Sequence, residues 1–208
     1  MTDKTVDMWN ARYSEQTYAY GKEPNLFFKE QLAKLPVGRL LMGAEGEGRN
    51  AVYAATQGWT VSAFDISEAG KAKALELANE KDVVIDYRVG NLPDLRFGEE
   101  QFDVLGLIYA HFPPTVRSEY HKYLHTLLRP GGLVILEGFG KNHLEYRKLN
   151  EKVGGPADLE TLFSPEEVHA DFKNYDVQVL EERVIELNEG RYHNGRGSVV
   201  RFVGAKSI

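Results

Sequence analysis

The alternation of short apolar runs with helical patterns is the feature that most constrains how this chain can fold. The runs rich in β-branched and apolar residues predict strands at Gly38–Met42, Thr60–Asp65, Val83–Val89, Phe102–Ile108 and Leu133–Glu137. The stretches between them predict helices at Arg49–Gln57, Glu68–Lys81 and Thr115–Leu128. Because strand, helix and strand in series form right-handed βαβ units, the sequence predicts a parallel sheet covered by helices.

The two ends of the chain follow different patterns from the middle. Residues 1–35 are helical in pattern but rich in aromatic and turn residues. A helix is predicted at Pro165–Lys173, and two long strands follow at Val177–Leu187 and Ser198–Ala205, joined by a segment rich in glycine. The end of the chain therefore predicts an antiparallel hairpin attached to the parallel sheet.

Size and charge limit the classes of function. A chain of 208 residues fits one domain, which we expect to span residues 1–208. Lys and Arg number 25 against 31 Asp and Glu, a net charge of −6, which argues against nucleic acid as the main partner. The absence of cysteine excludes thiolate nucleophiles and cysteine-based metal sites. We therefore expect a small molecule as the main partner.

No targeting or membrane-spanning segment is predicted. The start of the chain, Met1–Asp7, lacks the basic region and apolar stretch of a signal peptide. The longest apolar run, Val104–Ala110, is far shorter than the roughly 20 residues that cross a bilayer. We expect a cytoplasmic protein that does not bind membranes and that is a monomer or a weak homodimer.

A glycine-rich turn joins the first predicted strand to the first helix. Residues 43–50 read Gly-Ala-Glu-Gly-Glu-Gly-Arg-Asn, and glycine allows close approach of a ligand to the backbone. The helix that follows offers unpaired N–H groups at its N-terminus. The second strand ends at Asp65, whose carboxylate can accept both hydroxyls of an adenosine ribose. Together these features predict a cofactor that contains adenosine.

Two classes of cofactor fit this pattern. Residues 46–51 match the dinucleotide fingerprint G-x-G-x-x-A, which favours an NAD-linked oxidoreductase. The short chain and the terminal hairpin leave little room for a nicotinamide half and a substrate domain, whereas S-adenosylmethionine (SAM) needs only the first half of such a sheet. A SAM-dependent enzyme is the main hypothesis, and an NAD-linked oxidoreductase or a SAM-binding module without turnover are the alternatives.

The motifs resemble those of class I SAM-dependent methyltransferases. Residues 41–54 resemble their motif I, and within the family the chain is most similar to small bacterial tellurite-resistance and thiopurine-methyltransferase-like members. The pattern differs at Met42, where many members have an acidic residue, and at Ala44, where many have glycine. The other segments of resemblance lie along nearly the whole chain, at Trp9–Tyr13, Tyr20–Asn25, Phe64–Ser67, Leu127–Gly132 and Glu189–Arg196.

This resemblance implies a fold and a reaction. The fold would be a Rossmann-like, doubly wound α/β sheet of seven strands, mostly parallel with a reversed C-terminal strand. The reaction would transfer a methyl group from SAM to a small acceptor and release S-adenosylhomocysteine. A thiol, a metalloid oxyanion or another soft nucleophile is the expected acceptor. Residues 1–35 would form a lid over the cofactor, and residues 140–163 an insertion that covers the acceptor.

The resemblance also assigns roles to individual residues. The residues expected to bind the cofactor are Tyr20, Ala44, Glu45, Gly46, Gly48, Arg49, Asn50, Asp65, Ile66, Asn91, Leu92 and Tyr109. Those expected to bind the acceptor are Tyr13, Glu137, Tyr192, His193 and Arg196.

Histidines are the candidates for proton transfer and for metal binding. A thiolate acceptor needs no base, whereas an oxygen acceptor needs one, and His111 after the fourth strand is the candidate catalytic residue. His121 and His125 are spaced like a pair of metal ligands on a helix, but no third ligand is evident. We therefore expect both to be surface residues and predict no metal site.

Overall fold

Parallel strands and a terminal hairpin form one mixed sheet at the centre of the molecule. The computed structural model describes residues 3–208. Its strands are β1 Arg39–Gly43, β2 Thr60–Asp65, β3 Asp86–Val89, β4 Phe102–Ile108, β5 Leu128–Phe139, β6 Tyr175–Glu189 and β7 His193–Lys206. Within residues 3–208 they form a seven-stranded sheet in the order β3-β2-β1-β4-β5-β7-β6. Since β7 runs antiparallel to both of its neighbours, the predicted fold class is confirmed.

Helices cover the sheet and its carboxyl edge. They are α1 Asp3–Tyr13, α2 Leu26–Leu32, α3 Arg49–Thr56, α4 Glu68–Glu80, α5 Pro114–Leu127, α6 His143–Leu149 and α7 Pro165–Asp171. Short 3-10 turns occur at Leu92–Leu95, Glu151–Val153 and Leu159–Thr161. No helix within residues 3–208 has the length and hydropathy needed to cross a bilayer.

The central strands read as continuous apolar runs because helices cover both of their faces. Leu40, Leu41 and Met42 of β1 are all buried. Successive side chains of a strand point to opposite faces, so Leu41 belongs to one core and its two neighbours to the other.

The order of the strands determines where a ligand can bind. From β1 the chain builds the sheet outward through β2 and β3, and then returns to the other side of β1 with β4. At such a reversal the helices that follow neighbouring strands leave toward opposite faces of the sheet. A crevice opens there at the carboxyl ends of the strands, between the ends of β1 and β4.

The N-terminal segment lies across this crevice. At one side, Asn10 Oδ1 accepts hydrogen bonds from Ser67 Oγ (2.7 Å) and from the N–H of Ala69 (3.2 Å) at the start of α4. At the other side, the carbonyl oxygen of Ala19 accepts the N–H of Arg191 (2.9 Å) in the turn between β6 and β7. The segment therefore connects α4 to the terminal hairpin.

The two histidines of α5 are not the surface pair that the sequence suggests. His121 is only 1% exposed, and its Nδ1 lies 2.7 Å from Asp171 Oδ2, while His125 Nδ1 lies 3.0 Å from the hydroxyl of Tyr175. The prediction of a surface position is wrong for His121 because α5 packs against α7. No group of three or more potential metal ligands occurs among residues 3–208.

Ser67 provides a test of how the N-terminal segment is held. Its buried side chain accepts the N–H of Gly70 (3.0 Å) as the N-cap of α4 and donates to Asn10. Loss of an N-cap costs about 0.5–2 kcal/mol, and Ser67→Ala also removes the donor to Asn10. We expect Ser67→Ala to lower the free energy of unfolding in urea by about 1–2 kcal/mol. The exposed Ser14→Ala is the control, and equal stability of both variants would contradict this docking.

Candidate functional site

A cavity of about 460 Å³ occupies the crevice. This volume lies within the range of roughly 300–1,000 Å³ that is typical of small-molecule sites. The strand ends form its floor, and one face of α1 covers it. The residues of α1 that line the cavity are Thr5, Met8, Trp9, Arg12 and Tyr13, spaced as expected for one face of a helix.

Two glycines of the turn lie where neighbouring helices pack closely against it. A Cβ atom at Gly46 would lie 2.6 Å from the Tyr13 hydroxyl oxygen, and one at Gly48 would lie 2.8 Å from the Cα of Ala74. Neither glycine lines the cavity, and the N–H of Gly46 is already donated to Asp65 Oδ2 (3.0 Å). The absence of a side chain at both glycines gives α1 and α4 room to approach the turn, and their contact with the cofactor stays a prediction.

The two residues before Gly46 do reach the cavity. Ala44 adopts a left-handed backbone conformation with φ of 51°, which favours glycine and explains why glycine is the usual residue of motif I. Glu45 Oε1 accepts the N–H groups of Asn50 (2.8 Å) and Ala51 (2.7 Å), so its carboxylate caps the N-terminus of α3. Burial raises the pKa of Glu45 to about 7.

Asp65 is the buried carboxylate at the end of β2. Its Oδ2 accepts the N–H of Gly46 (3.0 Å), and its Oδ1 accepts those of Ile66 (2.7 Å) and Ser67 (3.0 Å). Burial raises the pKa of Asp65 to about 6, although these hydrogen bonds oppose the shift. Because each carboxylate oxygen has two acceptor sites, these three bonds leave one site on Oδ2, and since the residue lines the cavity, Asp65 can also accept a hydroxyl of a ligand.

The predicted cofactor residues are thus brought together with two exceptions. Those that line the cavity are Tyr20, Ala44, Glu45, Arg49, Asn50, Asp65, Ile66, Asn91, Leu92 and Tyr109. The two that do not are Gly46 and Gly48.

The other end of the cavity is lined by aromatic rings. The ring of His193 lies 4.5 Å from those of both Tyr20 and Tyr109, and Tyr109 lies 4.7 Å from Phe139. These rings come from the N-terminal segment, β4, β5 and β7, so long-range folding assembles them. Such a surface suits a small apolar group and excludes water from it.

His111 lines this end, but both of its ring nitrogens bind backbone groups. Nδ1 lies 3.1 Å from the carbonyl oxygen of Thr161, and Nε2 accepts the N–H of Phe139 (3.1 Å). The first contact requires a donor and the second an acceptor, so the ring is neutral with its proton on Nδ1. Burial lowers the pKa of His111 to about 3. This geometry argues against the predicted role as a base, because His111 joins β5 to the loop at Thr161.

His193 has a different arrangement. Its Nδ1 lies 3.0 Å from Glu189 Oε2, and the same oxygen accepts a hydrogen bond from Arg49 Nη2 (3.0 Å). Although burial opposes it, the hydrogen bond with His193 and the charge of Arg49 lower the pKa of Glu189 to about 2. Burial lowers the pKa of His193 despite the attraction of Glu189. The histidine is therefore neutral near pH 7, with its proton on Nδ1 and Nε2 left for a ligand.

The structure places three predicted acceptor residues outside the cavity wall. Glu137 is buried behind it and accepts hydrogen bonds from Asn25 Nδ2 (2.6 Å) and Arg201 Nε (2.6 Å). Tyr192 packs on the guanidinium of Arg12 instead. Arg196 is exposed, because alternate residues of β7 point to opposite faces and His193 takes the inner one. Tyr13 and His193 do line the cavity.

The sequence does not identify the individual side chains at the aromatic end of the wall. Those that it gives no specific role are Phe112, Tyr120, Phe139, Arg147, Gly155, Pro156 and Thr161. The last four lie within residues 140–163, the insertion that the sequence predicts to cover the acceptor. No local motif marks them, since their position depends on how this insertion folds back over the sheet.

Comparison with protein families finds a match in the part of the chain that contains the glycine turn. Residues 41–132 match the family model described as a methyltransferase domain. The matched region runs from β1 into the start of β5 and includes Asp65, Asn91 and His111. A search of curated protein sequences finds no significant match.

Solved structures of low sequence identity share the fold. One, studied for the conversion of a disulfide bond into a thioacetal group during echinomycin biosynthesis, is 17% identical, with a TM-score of 0.77 over 98% of this chain and 92% of that one. TehB from Haemophilus influenzae is 14% identical, with a TM-score of 0.70 over 97% and 67% of the two chains. A SAM-dependent methyltransferase from Anabaena variabilis is 17% identical, with a TM-score of 0.68 over 98% and 94%.

The protonation of His111 can be measured directly. Because burial lowers its pKa to about 3, we expect its ring NMR signals to stay at neutral-imidazole positions from pH 8 to about pH 5. Histidines of the urea-unfolded chain should instead titrate near about 6.5. A folded protein in which His111 titrates near that value would show that the bonds to Thr161 and Phe139 are not maintained in solution.

Proposed function

We propose that this SAM-dependent methyltransferase methylates a small thiol or a similarly soft nucleophile. The enzyme class and the cofactor follow from the methyltransferase domain at residues 41–132 together with the class I fold. The same match favours SAM over the NAD-linked alternative. The observation that supports the acceptor class is the arrangement of His193, a neutral histidine with one available ring nitrogen among aromatic rings.

The residues present suit SAM at the β1–β2 end of the cavity. Asp65 has one acceptor site left on Oδ2 for a ribose hydroxyl, and Ile66 and Leu92 offer apolar surface to the adenine ring. Ala44, whose left-handed conformation opens the turn, leaves room for the methionine end. When bound, SAM supplies a methyl group on a positively charged sulfonium and leaves as S-adenosylhomocysteine. The faces of Tyr20 and Tyr109 can stabilise that positive charge.

Methyl transfer to a thiol requires removal of one proton, and His193 is placed to take it. The neutral ring accepts the thiol proton at Nε2, while Nδ1 keeps its hydrogen bond with Glu189. The carboxylate of Glu189 stabilises the imidazolium that results, and the proton passes to solvent after turnover. The aromatic wall holds the acceptor in place and excludes water, which is the other contribution expected of this site.

Two similarities agree with a soft nucleophile as the acceptor. The sequence motifs resemble those of tellurite-resistance proteins, and one of the similar structures was studied for the conversion of a disulfide bond into a thioacetal group. A hard oxygen acceptor would need a stronger base than His193, whose pKa is lowered by burial. The proposal therefore favours sulfur and related elements over hydroxyl groups.

Cofactor binding should depend on the charge of Asp65. Charge-assisted hydrogen bonds contribute about 1.5–3 kcal/mol, so we expect Asp65→Asn to weaken the binding of S-adenosylhomocysteine more than tenfold by calorimetry. Since the pKa of Asp65 lies near 6, affinity of the unsubstituted protein should fall as the pH decreases from 7 to 5. The exposed Asp86→Asn should change neither result. A folded Asp65→Asn protein with normal affinity would show that the ribose site is elsewhere.

The role of His193 can be tested with thiols of different acidity. With an alkyl thiol, we expect His193→Asn to lower kcat/KM about 10²–10⁴-fold, the usual contribution of a general base. With 4-nitrothiophenol, which is already ionised near neutral pH, the same substitution should cost far less. In the unsubstituted enzyme, the activity with alkyl thiols should fall as the pH drops through the pKa of His193, which lies below about 6.5.

His125→Asn is the control, because this histidine of α5 bonds the Tyr175 hydroxyl and does not line the cavity. It should keep the acid limb of the pH profile. Equal losses with both thiols in His193→Asn would indicate that His193 only shapes the site.

A further inference from the structure

We infer that the acceptor carries an anionic group, such as a carboxylate, and that Arg147 binds this group. The inference rests on the proposed function, because it concerns the acceptor of the same site. It adds the charge of the acceptor, which the methyltransferase fold does not specify.

Arg147 lies at the C-terminal end of α6 and lines the cavity beside Gly155 and Pro156. Its Nε donates a hydrogen bond to the carbonyl oxygen of Gly155 (3.3 Å). This carbonyl belongs to a turn that is fixed by His143, whose Nε2 lies 3.1 Å from the carbonyl oxygen of Gly154. The side chain of Arg147 is therefore held against the cavity wall, and within residues 3–208 its two terminal nitrogens have no protein partner.

The buried Arg49 and Arg117 and the partly buried Arg201 all have partners within the protein. Arg49 pairs with Glu189 at 3.0 Å, and Arg201 pairs with Glu137 at 2.6 Å. Arg117 donates to the carbonyl oxygens of residues 160, 161 and 162. The chain has an excess of acidic residues, yet none of those in residues 3–208 forms an ion pair with Arg147. A half-buried guanidinium without a carboxylate partner has its donors available for a ligand.

The distribution of charge along the cavity supports the same conclusion. The carboxylates in its wall are Asp65 and Glu45, and both lie at the carboxyl ends of strands on the cofactor side. Asp65 ends β2, whereas Arg147 follows β5, three positions away in the sheet order. With neighbouring strands about 4.8 Å apart, these two ends are separated by roughly 14 Å.

Arg12 adds a second positive charge to the acceptor end. Its guanidinium lies over the rings of Trp9 (4.9 Å) and Tyr192 (4.7 Å) and donates to the Tyr20 hydroxyl (3.0 Å). It forms no ion pair with a carboxylate of residues 3–208 either. A protein with a net charge of −6 thus presents two arginines at the acceptor end, which is complementary to an anion.

A series of thiols that share a two-carbon chain and differ in the charge of the terminal group tests this inference. The probes are 3-mercaptopropionate, 2-mercaptoethanol and cysteamine, with methylation measured in the presence of SAM. We expect kcat/KM to decrease in that order, with at least about a tenfold difference between the anionic and the cationic thiol. Arg147→Glu should reverse the order, and Arg147→Lys should keep it with a smaller span.

Lys148→Glu is the matched control, since Lys148 is the next residue of the same helix, is 69% exposed and undergoes the same change of charge. It should leave the order unchanged. A reversal by Lys148→Glu as well, or equal rates for all three thiols in the unsubstituted enzyme, would overturn the inference while leaving thiol methylation in place.

Binding of products separates the inference from the proposed function. The complex with S-adenosylhomocysteine is titrated by calorimetry with 3-(methylthio)propionate and with 2-(methylthio)ethylamine, the products of the anionic and the cationic thiol. We expect only the carboxylate to bind, and Arg147→Glu to abolish its binding without changing the affinity for S-adenosylhomocysteine. If only the carboxylate binds but no thiol is methylated, the proposed thiol nucleophile is refuted. The inference that the acceptor carries an anionic group is then still supported. Equal binding of both thioethers would refute the anionic group.

Discussion

A buried network of charged and polar side chains holds the ligand cavity together. Asn25 donates from its side-chain amide to Glu137 (2.6 Å) and to Glu189 (3.0 Å), and each of these carboxylates also pairs with an arginine, Arg201 and Arg49 respectively. The network joins the N-terminal segment, the helix after the glycine turn, β5 and the terminal hairpin. Removing one partner of a buried ion pair leaves an unpaired buried charge and lowers the free energy of unfolding by about 3–5 kcal/mol. The network therefore holds these four segments in one arrangement.

This network also sets the electrostatics of the site. Glu189 is held ionised by Arg49 and His193, and it in turn keeps the proton of His193 on Nδ1. The same network reaches Tyr109, whose hydroxyl donates to Glu137 (3.2 Å) and whose ring contacts His193. The aromatic end of the cavity is therefore positioned by Asn25, Glu137 and Glu189, which lie behind the cavity wall, and such support keeps a site built from distant segments ordered.

The sequence predicts the sheet and the proposed cofactor end of the cavity better than the proposed acceptor end. The reason is that the contacts at the acceptor end join residues far apart in the sequence. Buried parallel strands are continuous apolar runs, and Asp65 follows from the position of one strand end. By contrast, the partners of His111 lie 50 and 28 residues away, at Thr161 and Phe139, so its neutral tautomer has no local signal. The inward position of His193 and the outward position of Arg196 depend on the register of β7, which is set by pairing across the sheet.

The central claim is that one cavity holds the cofactor over β1 and β2 and presents its reactive end to the aromatic rings around His193. A crystal structure of the complex with S-adenosylhomocysteine tests this most directly. We expect a ribose hydroxyl within hydrogen-bonding distance of Asp65 Oδ2 and the sulfur atom facing Tyr109 and His193. A ligand bound outside this cavity, or one whose sulfur points away from the aromatic end, would contradict it.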